Sequence, residues 1–212
     1  MRHNKSVLPQ AVKDNFRLFE GFLSLSQQIT LTILSRLSDA LRLENTARFE
    51  TIHQPNMPSP TTLIMMAYST DLGAGNIGHN EHTDIGSLTL LFNDQCGLQI
   101  KRGSEGWLSV PPRDGQAIVN VGDCLRFMSG NKLQSCLHRV IPPSDLTVQR
   151  YSFGYFLRPD NVATIKTPDG VQVSSRDWVE KKYSVHEASI ATQKRDILTG
   201  WMESSAERIE SM

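Results

Sequence analysis

The chain has 212 residues, of which 39% are hydrophobic and 21% are charged, a composition typical of a globular domain with one sizeable core. Its 22 basic and 22 acidic residues balance, which argues against a nucleic-acid-binding surface and against an acidic tail. No stretch approaches the roughly 20 apolar residues that a membrane span needs, and the polar N-terminus lacks the apolar segment of a signal peptide.

The cysteine content points to a reducing compartment. Cys96, Cys124 and Cys136 are an odd, scattered set without a Cys-x-x-Cys pair, so reduced thiols are expected rather than a disulfide framework. We therefore expect a cytoplasmic protein, a monomer, whose partner is a small molecule rather than nucleic acid or a membrane.

The first predicted element is a long amphipathic helix from about Asp14 to Leu43, because apolar residues recur there at nearly helical period. If this helix is interrupted, the expected place is Ser24 to Ser26. Its aromatic residues are interpreted as the buried face of a helix that covers a sheet. Pro55, Pro58 and Pro60 then predict a linker.

Short strand-like segments with turn signals between them follow the linker. The predicted strands are Thr62–Tyr68, Ser87–Phe92, Leu98–Lys101, Trp107–Val110, Ala117–Val121, Cys124–Met128, Cys136–Ile141 and Arg150–Leu157. Eight short strands without helices between them predict a mainly β fold with flanking helices, whose core is a double-stranded β-helix, the jelly roll of cupin-like proteins. After Pro159, one helix is predicted over residues 174–183 and a second from about Ala188 to Glu203.

These elements predict a single domain over residues 1–212. Residues 1–58 would form an N-terminal helical region, residues 59–160 the jelly-roll core, and residues 161–212 a C-terminal helical segment.

Two histidines and one aspartate form a candidate metal site. His82 and Asp84 are two residues apart, a spacing that places both side chains on one face of a strand. His138 lies in a separate strand-like segment and would supply the third ligand. Two imidazoles and one carboxylate are the ligand set of a non-haem Fe(II) facial triad, which leaves coordination positions open for dioxygen and substrate. A lone His-x-Asp pair, however, is more often a surface or hydrogen-bonded feature.

A second pattern strengthens this interpretation. Arg150 and Ser152 share one face of the strand that follows His138. A guanidinium group with a neighbouring hydroxyl is suited to hold a carboxylate, because Arg presents paired N–H donors and stays charged when desolvated. An exposed strand residue in a surface ion pair remains the alternative for Arg150 alone.

The other histidines and Cys136 receive structural interpretations. His3, His53 and His186 are expected to be solvated or structural, and His79 is expected to be a residue of the glycine-rich loop before His82 rather than a ligand. Cys136 is expected to be a packed core thiol.

Taken together, these motifs resemble the iron- and 2-oxoglutarate-dependent dioxygenases of the isopenicillin N synthase-like superfamily, in their order and approximate spacing. The resemblance rests on residues 78–91, 97–100, 106–107, 119–123, 137–140 and 150–152, and similar sequences are common in fungal secondary metabolism.

The resemblance implies a cofactor set and a reaction. Fe(II) would be held by His82, Asp84 and His138, and the distal carboxylate of 2-oxoglutarate by Arg150 and Ser152, with Tyr68 helping to bind it. With dioxygen, the enzyme would hydroxylate, desaturate or cyclise a small molecule in secondary metabolite biosynthesis, releasing succinate and CO2.

Some positions in the resembling regions carry no assigned chemistry. Asn120 and Asp123 are interpreted as turn residues around Gly122. Many relatives have Asn in place of Met66, and they carry a longer segment before the long helix.

Three alternatives stay open at this point. An oxidase of the isopenicillin N synthase type would use the same triad without 2-oxoglutarate, and Arg150 with Ser152 would then bind a substrate carboxylate. A zinc hydrolase can also use two histidines and a carboxylate, but it leaves Arg150 and Ser152 unexplained. A shortened family member without activity could serve as a binding or scaffold protein.

Overall fold

The computed structural model describes residues 8–68, 78–141, 149–167 and 170–186. The helices are α1 Gln10–Asp14, α2 Phe16–Ala40, α3 Asp123–Met128 and α4 Ser175–His186. The strands are β1 Thr62–Ala67, β2 His79–His82, β3 Leu88–Asn93, β4 Leu98–Arg102, β5 Gly106–Ser109, β6 Ile118–Val121, β7 His138–Val140, β8 Tyr151–Leu157, β9 Thr164–Lys166 and β10 Gln172–Ser174. No helix in these ranges is long and apolar enough to cross a membrane.

Two four-stranded antiparallel sheets form the core of the fold. Their strand orders are β1-β8-β3-β6 and β2-β7-β4-β5, and β9 pairs with β10 separately. Leu91 of the first sheet and Tyr68, which follows β1, pack with Leu98 and Val140 of the second sheet, so the sheets meet face to face. This arrangement agrees with the predicted jelly roll with flanking helices.

The predicted long helix covers the first sheet. Phe22 of α2 makes edge-on contacts with Phe92 and Phe153, with ring centroids 5.6 and 5.3 Å apart. The chain is continuous in α2 across the serines where an interruption was expected, and the helix boundary lies instead at Asn15. Burial of Ser26 and Leu34 against the fold outweighs the mild helix cost of serine.

One predicted strand is wrong. The segment from Cys124 to Met128 lies in helix α3. Five of the six residues of this helix are buried. Because burial is nearly continuous, the segment has no alternation that would separate a buried strand from a short buried helix.

Other differences lie at the ends of the jelly roll. His79 is the first residue of β2 rather than a loop residue, and β9 and β10 were not predicted. The first C-terminal helix is confirmed as α4, whereas the second predicted helix lies outside the described residues.

Candidate active site

The three candidate metal ligands meet between two strands of the second sheet. His82 ends β2 and His138 begins β7, and the two residues are direct partners in the antiparallel ladder. The Asp84 Oδ1 atom lies 4.0 Å from His82 Nε2 and 3.7 Å from His138 Nε2. All three side chains are buried, and their ligand atoms lie within 4.8 Å of one another, as one shared ion requires.

Both imidazoles are oriented by the same backbone contact. The Nδ1 atom of His82 lies 2.7 Å from the Asn80 carbonyl oxygen, and that of His138 lies 2.9 Å from the Cys136 carbonyl oxygen. Since a carbonyl oxygen only accepts, each Nδ1 carries the proton and each Nε2 keeps a lone pair for a metal. The donor set therefore fits a divalent ion such as Fe(II).

The position of Asp84 depends on helix α3 rather than on strand alternation. Strand β2 ends at His82, so the predicted same-face geometry does not extend to Asp84. Instead, the Asp123 amide donates to the Asp84 carbonyl (2.8 Å) and the Cys124 amide donates to the Gly86 carbonyl (3.1 Å). The first amides of a helix lack partners within the helix. Here the loop between β2 and β3, residues 83–87, supplies acceptors for them, and we call it the ligand loop.

A close backbone approach explains the glycine before this helix. A Cβ atom on Gly122 would lie 2.1 Å from the Gly86 carbonyl oxygen and 3.1 Å from that of Asp84. Only glycine leaves room for the loop to pack this closely against the start of α3.

The second oxygen of Asp84 has a side-chain partner that sequence reasoning missed. Asn120 Nδ2 donates to Asp84 Oδ2 over 3.3 Å. Asn120 lies in β6, so its interpretation as a turn residue was wrong, and so was that of Asp123, which begins α3. The available signal was alternation: Asn120 shares the inner face of β6 with Ile118, whereas Val119 is exposed.

The predicted carboxylate-binding residues also come together. Arg150 precedes β8, Ser152 lies within it, and Tyr68 follows β1, which pairs with β8. All three side chains are buried. The Tyr68 hydroxyl lies 3.2 Å from Ser152 Oγ, and the Arg150 guanidinium lies 4.4 Å from the centre of the Tyr68 ring.

The Arg150 guanidinium is only partly paired within the protein. Its Nε donates to the Cys96 carbonyl over 3.0 Å, whereas its buried Nη1 has no hydrogen-bond acceptor among the described residues. A buried donor without an acceptor is costly, and a charged one especially so. An anionic ligand such as a carboxylate would supply the acceptor.

One cavity connects the two groups of residues. It lies between the sheets and touches the metal ligands, Arg150, Ser152, Tyr68 and Asn120. Its remaining lining is His79 and the largely apolar set Met66, Thr89, Leu91, Leu98, Val140 and Phe156.

Of the other titratable groups named above, one is structural and two lie near the metal site. His53 bonds to the Phe49 carbonyl and the Ser87 hydroxyl, and burial lowers its pKa to about 4. The His79 ring lies 4.4 Å from the His82 ring and lines the cavity. Cys136 is half-buried rather than fully packed, and both burial and the nearby Asp84 raise the pKa of its thiol. His3 and the side chain of His186 lie outside the part of the chain that the structure describes.

A jelly roll that joins two imidazoles, one carboxylate and a buried guanidinium in one cavity has the features of a non-haem Fe(II) oxygenase. The sequence comparison is more specific: residues 58–159 match the family described as the 2OG-Fe(II) oxygenase superfamily. This match and a curated relative at 46% identity show that the chain belongs to this superfamily.

Curated fungal relatives agree with the family match. The chain is 46% identical over 202 residues to the 2-oxoglutarate-dependent dioxygenase iboH of Amanita muscaria, covering 92% of this chain and 98% of iboH. It is 42% identical over 206 residues to the 2-oxoglutarate-dependent dioxygenase gloE of Glarea lozoyensis, covering 96% of this chain. The match spans only 62% of gloE.

Solved structures show the same fold. A 2OG-Fe(II) oxygenase family protein from Caulobacter crescentus has a TM-score of 0.71 at 22% identity, covering 84% of this chain and 62% of that protein. A Neurospora crassa protein solved in complex with alpha-KG has a TM-score of 0.64 at 22% identity, covering 78% of this chain and 56% of that protein. The predicted family, jelly-roll fold, dioxygenase class and cofactors Fe(II), 2-oxoglutarate and dioxygen are thus confirmed.

Proposed function

We propose that this chain oxidises a small natural product with His82, Asp84 and His138 as the Fe(II) ligands and Arg150, Ser152 and Tyr68 as the 2-oxoglutarate-binding residues. The observation that carries the proposal is the shared cavity. It has three metal-ligand atoms within 4.8 Å of one another, and it also contains the buried Arg150 guanidinium, whose Nη1 lacks an acceptor among the described residues.

Each residue has a defined task in this proposal. When bound, the iron and 2-oxoglutarate activate dioxygen, with succinate and CO2 as the co-products. The imidazoles would offer Nε2 to the metal, and Asn120 holds the outer oxygen of Asp84 while Oδ1 lies beside the two Nε2 atoms. Arg150 neutralises the distal carboxylate, while the hydroxyls of Ser152 and Tyr68 offer it further hydrogen bonds.

The size of the cavity sets one condition on binding. Its volume is about 40 Å³, far less than the roughly 300 Å³ or more of typical ligand sites. Side chains at its edge must therefore move when 2-oxoglutarate enters. Met66 is a suitable candidate, because its thioether is 3.8 Å from the Tyr68 hydroxyl and methionine adapts readily to new packing.

The cavity lining and the relatives support the proposed substrate class. Met66, Leu91 and Phe156 offer apolar contacts beside the metal ligands, which favours a small, partly apolar molecule. A more distant match, 30% identical over 161 residues, is the proline hydroxylase buaE of Petromyces alliaceus. We propose hydroxylation, desaturation or cyclisation in secondary metabolite biosynthesis.

The cellular setting is part of the proposal. Cys96, Cys124 and Cys136 are free thiols, which supports a reducing, cytoplasmic location. The monomeric state and the absence of nucleic-acid and membrane partners remain predictions.

The test is substrate-dependent turnover with defined cofactors. The chain would be reconstituted anaerobically with Fe(II), mixed with 2-oxoglutarate, ascorbate and fungal extracts or candidate metabolites, and exposed to oxygen. We expect succinate to form in step with substrate loss, and only when Fe(II) and 2-oxoglutarate are both present.

Other outcomes would identify the alternatives. Substrate oxidation without 2-oxoglutarate would indicate an oxidase, in which Arg150 binds a substrate carboxylate. Preferential activity with zinc and no oxygen consumption would indicate a hydrolase. A folded chain that binds neither Fe(II) nor 2-oxoglutarate would contradict the proposed function altogether.

A further inference from the structure

A second buried carboxylate, that of Asp123, lies behind the metal ligands. Its side chain is 1% exposed and interacts with four other side chains. Thr83 donates to Oδ2 over 2.8 Å and Ser135 donates to Oδ1 over 2.6 Å. Lys182 and Arg126 form ion pairs with the same carboxylate.

Two of these partners, Thr83 and Ser135, come from the segments that carry the proposed metal ligands. Thr83 lies between His82 and Asp84, so its bond fixes the short segment that supplies two ligands. Ser135 lies directly before Cys136, whose carbonyl orients the His138 ring. Backbone bonds add to this link, because the Asp123 amide itself donates to the Asp84 carbonyl.

The C-terminal helix contributes the compensating charge. Lys182 lies in α4, is 2% exposed, and pairs with Asp123 Oδ2. Trp178, one turn earlier, donates from Nε1 to the carbonyl of Ile85 over 3.2 Å, the residue after Asp84. Helix α4 thus contacts Asp123 through a side-chain ion pair and the ligand loop through a backbone carbonyl.

We propose that Asp123, held by Lys182 of helix α4, positions the His82–Asp84 segment and the His138 segment relative to each other. The inference rests on the proposed metal site. Asp123 and Lys182 act as positioning residues, since neither is among the residues that line the cavity.

The charge state of Asp123 is consistent with this role. Burial alone would raise the pKa of its carboxyl group, but the positive charges of Lys182 and Arg126 outweigh burial and hold the pKa below its ordinary value. The ionised carboxylate can accept the Thr83 and Ser135 hydroxyl bonds at the same time.

A purely stabilising role predicts a different result from a positioning role. Buried ion pairs often add little net stability over apolar residues of the same volume, so stability alone is a weak reason for this cluster. Residues that orient metal ligands typically change metal affinity by about 10- to 100-fold when they are removed. Metal affinity and the spectrum of the bound ion therefore separate the two roles.

The experiment removes each interaction of Asp123 separately, with substitutions of similar size. Thr83→Val removes the bond to the His82–Asp84 segment, Ser135→Ala removes the bond to the His138 segment, and Lys182→Met removes the charge from α4. Matched controls are Thr30→Val and Ser38→Ala, buried residues of α2. Their hydroxyls bond to the carbonyls of Ser26 and Gln27, to the Glu50 side chain and to the Phe49 amide rather than to Asp123. Each protein would be titrated with Co(II), and its ligand-field absorption spectrum and thermal midpoint would be recorded.

We expect the Co(II) Kd to rise about tenfold in the three cluster variants, with an altered absorption spectrum at saturation. The two controls should lower the thermal midpoint. Their Co(II) Kd should stay within twofold of the wild-type value, and their absorption spectrum should be unchanged. If Lys182→Met fails to fold, the two hydroxyl variants still decide the question.

Two results would overturn the inference in distinguishable ways. Wild-type Kd and spectrum in Thr83→Val and Ser135→Ala, in a chain whose wild type binds Co(II) tightly, would overturn the positioning role alone. A wild-type chain with no affinity for Co(II) or Fe(II) would overturn the proposed function together with the inference.

Discussion

The two ends of the cavity are built in opposite ways. At the metal end, the buried polar groups around the ligands have partners within the protein: each imidazole Nδ1 faces a carbonyl, and the outer oxygen of Asp84 accepts from Asn120. At the other end, the buried Nη1 of Arg150 has no acceptor among the described residues. At one end the protein itself orients the groups that would bind the metal, whereas at the other end a charged donor has no acceptor among the described residues.

The metal end is therefore preorganised, whereas the Arg150 end would be completed by an anionic ligand. The proposed metal ligands are held in place by the fold, so metal binding should need little rearrangement. The cost of leaving a charged donor unpaired at the Arg150 end would be relieved by a carboxylate, which links 2-oxoglutarate affinity to this residue. The comparison predicts that variants at the two ends affect different ligands.

The largest effect is expected at the metal end from Asp84→Ala. This variant removes the proposed carboxylate ligand and leaves two imidazoles whose ring centroids are 4.3 Å apart. We expect no measurable Fe(II) binding by anaerobic titration, and no succinate formation. Asp160→Ala is the matched control, because Asp160 is also buried but bonds to the Gln54 amide away from the cavity. Equal iron affinity in wild type and Asp84→Ala would contradict the ligand assignment.

The next largest effect is expected at the other end, from Arg150→Lys. The substitution keeps the charge but removes the planar pair of donors, so at least one charge-assisted hydrogen bond of about 2 kcal/mol is lost. The Kd for 2-oxoglutarate, measured with Fe(II) present and oxygen absent, should rise about 30-fold. Iron affinity should stay unchanged.

A matched arginine tests whether burial alone explains that result. Arg158 is equally buried, but it bonds to the Pro60 carbonyl and the Thr62 hydroxyl outside the cavity. Arg158→Lys should therefore lower stability without changing 2-oxoglutarate affinity. If Arg150→Lys also leaves this affinity unchanged, the guanidinium does not bind the co-substrate.

A smaller effect is expected from Asn120→Ala, which returns to the metal end. The variant removes the 3.3 Å hydrogen bond from Asn120 Nδ2 to Asp84 Oδ2, so the carboxylate can rotate. We expect the Fe(II) Kd to rise about tenfold. The 2-oxoglutarate affinity, measured at saturating Fe(II), should not change. Asn93→Ala, which removes an amide bonded to the Gln95 carbonyl, is the control. An unchanged Fe(II) Kd in Asn120→Ala would mean that the backbone contacts of Asp84 suffice to orient it.

The sequence indicated which residues meet in the cavity, but not the geometry that brings them together. His82, Asp84 and His138 were identifiable because imidazole and carboxylate are unusual side chains in otherwise apolar strand segments. The predicted reason, a shared strand face for His82 and Asp84, does not hold, since β2 ends at His82. The observed placement depends on amides of α3, about 40 residues away, and no local pattern encodes such a contact.

The contacts behind the ligands were hidden for a related reason. Asn120 and Asp123 stand around Gly122 with residue types that favour turns, and local propensity gave that interpretation. Tertiary packing overrode it, because Gly122 admits the ligand loop and the buried run after it forms a helix. Lys182, in turn, looks like an ordinary charged residue of an amphipathic helix until the fold places it on Asp123.

The smallest expected effect tests the hydroxyl pair at the Arg150 end. Tyr68→Phe removes the hydroxyl that lies 3.2 Å from Ser152 Oγ but keeps the ring over which Arg150 stacks. One neutral hydrogen bond contributes about 1 kcal/mol, so the KM for 2-oxoglutarate should rise about fivefold with little change in iron affinity. Tyr151→Phe, an exposed tyrosine of the same strand pair, is the control. A Tyr68→Phe enzyme with weakened iron binding and normal 2-oxoglutarate KM would reverse the comparison, because Tyr68 would then belong to the metal end.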